Sequence, residues 1–158
     1  MKADVWTRGN WLQCLMADPL NPPKPPTSIE LVWERDLIFG GTSGDIQMTL
    51  DSASAAGPSP MQALAFGLAG CMAMDVVHVL KKGRHDLRGL RASLAGERAD
   101  AEPRRFTAIK LHYDITGEVA REHVERAIAL SKEKYCSVWH SLRQDTDFEI
   151  TFKVSPGV

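Results

Sequence analysis

This 158-residue sequence has no basic excess and only three cysteines, and neither a membrane span nor a secretory leader is expected of it. Nineteen Lys and Arg against twenty Asp and Glu leave a net charge of −1, so the whole-chain field offers nothing to nucleic acid or an anionic membrane. The least charged stretch, Met61 to Met74, falls short of the about 18 to 20 apolar residues that a bilayer span requires, and Asp75 interrupts it. It reads as a buried helix. No basic segment followed by an apolar run opens the chain, so no secretory signal is expected. Cys14, Cys71 and Cys136, odd in number and widely spaced, argue against a disulfide framework and for free thiols in a reducing cytoplasm. No Cys-x-x-Cys pair is present and four convergent metal ligands are not apparent, so neither a metal nor another cofactor is expected.

A composition of 44% hydrophobic and 25% charged residues fits one globular domain with an ordinary core. Residues 1–28 form a proline-rich leader, because Pro19, Pro22, Pro23, Pro25 and Pro26 suit neither helix nor sheet interior. Trp6, Trp11, Leu12, Leu15 and Met16 precede those prolines and are expected to dock as a short amphipathic helix. The domain proper runs over residues 29–158. Period-two alternation at Ile29, Leu31 and Trp33, and again at Ile46, Met48 and Leu50, predicts a meander of three strands with Asp36 to Gly41 in the middle. Ser59-Pro60 reads as an N-cap followed by proline at the first helical position.

From Pro60 to Lys82 the sequence is apolar on nearly every face, which marks a central helix. Gly83 is expected to close it as a left-handed cap, with Lys81 and Lys82 at the end that favours cations. Leu87 to Glu97 and Thr107 to Gly117 form a strand pair, the second pointing Ile109, Leu111, Tyr113 and Ile115 to one side. Val119 to Lys134 is a second helix with Ala120, Val124, Ala127, Ile128 and Ser131 in one stripe and a Glu122–Arg126 pair on the wet side. A short turn from Cys136 to Leu142 and a closing strand at Phe148, Ile150, Phe152 and Val154 complete an α+β order of βββαββαβ. The central helix cannot be covered by one small subunit, so a dimer that buries it is expected.

A mid-helix cysteine such as Cys71 is by pattern alone a small buried hydrophobe. The segment Gly57-Pro58-Ser59-Pro60-Met61 through Gly70-Cys71, continued by Met74-Asp75-Val76-Val77, nevertheless resembles the first signature of the OsmC/Ohr family of thiol-dependent hydroperoxide reductases. The segment Ser131 to Val138, with Tyr135-Cys136 at its centre, resembles the second. The resemblance covers about residues 29–154. It implies an OsmC-like fold, with an antiparallel sheet and two central helices in an intertwined homodimer, and it implies that Cys71 attacks the peroxide while Cys136 resolves the product.

In that family an arginine from the first strand region supports the thiolate and a glutamate tethers it. Arg35 is the candidate arginine here. The glutamate position holds Met61, so Gln62 is nominated as a neutral tether. The implied partners are an organic hydroperoxide, a dithiol reductant and a second copy of the chain. The rival reading is a non-catalytic homodimer of the same fold that binds a small apolar ligand or senses oxidant. His78, two turns beyond Cys71, reads as a core histidine, the basic run from Lys81 to Arg91 as a solvated helix end, and Cys14 as a bystander.

Overall fold

The N-terminal strands form because period-two apolar residues are separated by residues that tolerate a left-handed backbone. The computed structural model describes residues 25–157; the expected docked helix and Cys14 lie outside them. β1 (Glu30–Arg35), β2 (Ile38–Ser43) and β3 (Ile46–Asp51) make an antiparallel sheet in that order. Asp36 with φ 43° turns the first hairpin and Gly44 with φ 57° the second. The middle strand starts two residues later than Asp36, because Asp36 and Leu37 are used by the turn.

After β3, the Asp51 carboxylate accepts hydrogen bonds from the backbone N–H groups of Ala53, Ala55 and Ala56 and ties down the loop that leads to α1 (Pro60–Lys82). α1 opens with a capping box: the Ser59 hydroxyl accepts from the Gln62 N–H while Gln62 Oε1 accepts from the Ser59 N–H. At the other end Gly83 is right-handed, with φ −73°, and the left-handed residue is Arg84 with φ 60°. A Cβ at position 83 would lie 2.6 Å from the His85 ring, so any larger residue there would have to push that side chain aside.

β4 (Asp86–Arg98), β5 (Phe106–Glu118) and β6 (Asp147–Ser155) form a second three-stranded sheet with β5 central. One pairing departs from the antiparallel expectation: β6 runs parallel to β5. The helical crossover between them carries the chain back to the starting end of β5, which a hairpin cannot do. That crossover is α2 (Arg121–Leu130), a π-helical turn (Ser131–Tyr135) and α3 (Ser137–His140). On α2 the i,i+4 ion pair is Arg121–Glu125, at 2.9 Å, rather than Glu122–Arg126.

Leu68, Met72, Val76 and Leu80 form one fully buried stripe on α1, spaced at four residues, and pack with Ile109, Leu111, Tyr113 and Ile115 of β5 and Val124 and Ala127 of α2. Against the expectation drawn from Met61 to Met74, the full 23-residue α1 is long and apolar enough to span a bilayer. Its buried stripe and its polar tie to the crossover make it the core helix of an α+β fold.

Candidate functional site

The middle of α1 carries Cys71 and, one turn later, Asp75, so helical period puts both on one side. Cys136 arrives from the other direction. The π turn inserts an extra residue at the end of α2, and its last hydrogen bond, Cys136 N–H to Ser131 O at 2.9 Å, delivers Cys136 to the N-cap of α3. There Cys136 Sγ accepts the Trp139 N–H at 3.3 Å. The two sulfurs and a carboxylate oxygen of Asp75 all lie within 4.8 Å of one another. Both cysteines are free thiols, Cys71 half-buried and Cys136 buried. The second helix thus ends against the middle of the first, as the approach of two cysteines requires.

The surroundings are polar but not positive. Ser131, itself buried, donates its hydroxyl to Asp75 Oδ2 at 2.8 Å. Burial pushes the Cys136 thiol up to about 11; the contact with Cys71 and the charge of Asp75 push the same way, while the Trp139 N–H opposes them. Cys136 is therefore a neutral thiol at neutral pH. Tyr113 is fully buried on β5, and its hydroxyl has no hydrogen-bond partner among the described residues. Its acidity is suppressed first by burial and then by the nearby Cys136, Asp75 and Cys71.

The four nominated residues do not converge. Cys71 and Cys136 meet, but no guanidinium hydrogen-bonds either sulfur among the described residues of one chain. Arg35 sits exposed at the end of β1, where its influence is felt by Asp51. Gln62 has a different task from the nominated tether. Its Oε1 accepts from Ser59 N–H at 2.8 Å and from the hydroxyls of Ser54 at 2.7 Å and Ser59 at 3.1 Å. A carbonyl oxygen has two lone pairs, so a guanidinium would have to displace the helix cap. His78 is exposed rather than a core residue, on the rim of an open depression of about 730 Å³ lined also by Met74, Val77 and Leu87.

Sequence reasoning missed Asp75, Ser131 and Tyr113 as parts of this site. Asp75 had a readable signal: a lone carboxylate in an apolar helix, four residues from a cysteine. Ser131 lay on the expected core stripe of α2 as a small residue, with nothing to mark its hydroxyl as paired. Tyr113 is indistinguishable in pattern from its neighbours Leu111 and Ile115.

Residues 52–151 match the family described as OsmC-like protein. Protein YhfA of Escherichia coli K12 is 38% identical over 125 residues, which cover 77% of this chain and 93% of YhfA. The crystal structure of a hypothetical protein from Aquifex aeolicus VF5 superposes with a TM-score of 0.79 at 27% identity, over 85% of this chain and all of that one. An organic hydroperoxide resistance protein OsmC from Legionella pneumophila shares the fold, with a TM-score of 0.63 at 19% identity over 82% of this chain and 98% of that one. The family match takes in both cysteines, the two helices that bring them together and most of the second sheet. The chain belongs to the OsmC-like protein family.

Proposed function

We propose that this protein reduces organic hydroperoxides to alcohols through Cys71 and Cys136. The observation that carries the reading is the approach of two free sulfurs to within 4.8 Å, from segments far apart in sequence. Cys71, the more accessible, attacks the outer oxygen of the peroxide as a thiolate. The O–O bond breaks, an alkoxide leaves and takes a proton to become the alcohol, and Cys71 becomes a sulfenic acid. The Cys136 thiol then displaces water from that sulfenic acid, giving a Cys71–Cys136 disulfide that a dithiol reductant in the cytoplasm reopens. A buried resolving thiol beside the first sulfur keeps the sulfenic acid from further oxidation.

Attack needs a thiolate, and a thiolate beside Asp75 needs a counter-charge. The proposal therefore includes a homodimer. Leu31, Trp33, Ile46 and Met48 on the first sheet, and Phe66 and Met74 on α1, are all large apolar side chains about half exposed or more in the single chain. A second copy packed over them would cover that surface, and Arg35 at the edge of the same sheet is the cation assigned to the thiol site across the interface. A mostly apolar hollow of about 230 Å³, lined by Gln62, Ala65, Phe66, Ala69, Ala92 and Leu94, lies along α1 and suits an apolar hydroperoxide.

The test is consumption of cumene hydroperoxide by reduced protein with a dithiol. Cys71→Ser is expected to abolish turnover, and Cys136→Ser to stop after one equivalent with a sulfenic acid trapped by dimedone. Arg35→Ala is expected to slow the first step. A second reading, an oxidant sensor of the same fold, is favoured by the Asp75 charge at the sulfurs. It predicts a disulfide that forms once and slowly, with no dithiol-driven turnover.

A further inference from the structure

Two sulfurs and a carboxylate within 4.8 Å are donors of the kind that hold a thiophilic divalent cation. The arrangement is pre-positioned from both sides. Cys71 and Asp75 share a face of the rigid helix α1, and Cys136 is fixed as the N-cap of α3 by the Trp139 N–H. Ser131 holds Asp75 Oδ2, leaving the other carboxylate oxygen for an ion and orienting the group, as outer-shell hydrogen bonds do at metal sites. The largest separation of 4.8 Å compares with an edge of about 3.8 Å for a tetrahedral site with bonds of about 2.3 Å to sulfur. An ion must therefore draw the three groups together by up to about 1 Å.

A second feature points to the same place. The Tyr113 hydroxyl is wholly buried, lacks a partner among the described residues, and sits in the same core cluster as Cys136, with Cys71 packed against it. A buried phenol without a partner is costly. A water or hydroxide in a fourth position on an ion would supply the partner that this phenol lacks. We infer that reduced protein binds one Zn²⁺-type cation through Cys71 Sγ, Cys136 Sγ and Asp75, with a fourth position facing Tyr113. Binding releases both thiol protons and transfers no electrons, so affinity rises with pH.

The site shares its sulfurs with the proposed reaction, which gives metal and peroxide opposite effects. The ion occupies both thiolates and slows their oxidation. Oxidation by an organic hydroperoxide, in which two thiols yield a disulfide while the peroxide becomes an alcohol and water, expels the ion. The coordination itself stands on ligand geometry and does not require the peroxidase reading.

The probe is Co²⁺, titrated anaerobically into reduced, metal-free full-length protein. Thiolate-to-cobalt charge transfer in the near ultraviolet and intense tetrahedral d–d bands are expected to saturate at one ion per chain and to vanish on adding Zn²⁺. Cys71→Ser and Cys136→Ser should each halve the charge-transfer intensity per bound ion. Asp75→Asn should keep that intensity and weaken binding by about tenfold or more. Circular dichroism confirms that each variant is folded. No charge-transfer band in the wild type, only the weak bands of an octahedral ion, or equal affinity in Asp75→Asn would overturn the assignment. Disulfide formation by metal-free protein is scored separately, so a failed metal site and a failed peroxide reaction give different results.

Discussion

The sheet before Pro60 and the sheet after it both carry apolar side chains on their strands, yet only the later one builds a core. Every buried apolar residue among the described residues lies between Leu68 and Phe148. β1 is exposed along its whole length, and Trp33 is 64% accessible. Alternation says that a strand has an apolar face and is silent about whose surface covers it. The later segment carries its own cover, because β5 has α1 and α2 packed against one face. The first sheet makes few contacts with the rest of its own chain beyond the loop into α1. The thiol site is built wholly in the self-covered part, while the proposed cation stands in the other. That division is the physical reason for reading the active unit as a dimer.

The contrast can be broken most severely from inside the core. Met72→Ala removes a fully buried side chain one residue from Cys71 and is expected to cost about 2–5 kcal/mol of stability in urea unfolding. A pH series sharpens the same point at the site itself. The Cys136 thiol is raised by burial from 9.0 to about 11, so the unfolded chain loses that proton first as the solution becomes alkaline. The stability that Cys136 contributes is complete below pH about 9 and is lost as pH rises toward 11. Unfolding midpoints across that range should fall more for the wild type than for Cys136→Ala.

Smaller still is the helix cap. Ser59→Ala removes the hydroxyl that receives the Gln62 N–H and should lower stability by about 1 kcal/mol. The least change in intrinsic stability is expected on the first sheet, where Trp33→Ala alters an exposed residue and should stay within about 0.5 kcal/mol for the isolated chain. Its effect should appear instead in sedimentation, as a shift from dimer toward monomer. A large loss of stability without a change in association would undo the comparison.

Most of the element order was legible because each element carried its own local signal. Ser59-Pro60 marked the start of α1, and the four apolar positions of β5 marked the face that is buried. What the sequence hid depends on distance or on three-dimensional space. The parallel pairing of β6 follows from where the crossover lands. Gly83 reads as a left-handed cap, but the left-handed residue is Arg84, and the His85 ring fills the space beside the glycine. Gln62 reads as a neutral tether for an arginine, whereas in the fold its oxygen is filled by serine donors. The pairing of Cys71 with Cys136 could be read through family resemblance alone, since nothing in their spacing implies contact. Asp75, whose carboxylate lies within 4.8 Å of both sulfurs, was visible as an oddity of composition without a role.

The most direct measurement is mass spectrometry of tryptic peptides from protein treated with one equivalent of cumene hydroperoxide. A cross-link joining the peptide of Cys71 to that of Cys136, reversed by a dithiol, is the predicted result. Two unlinked cysteines, with Cys71 carried on to sulfinic acid or left as a thiol, would contradict the account.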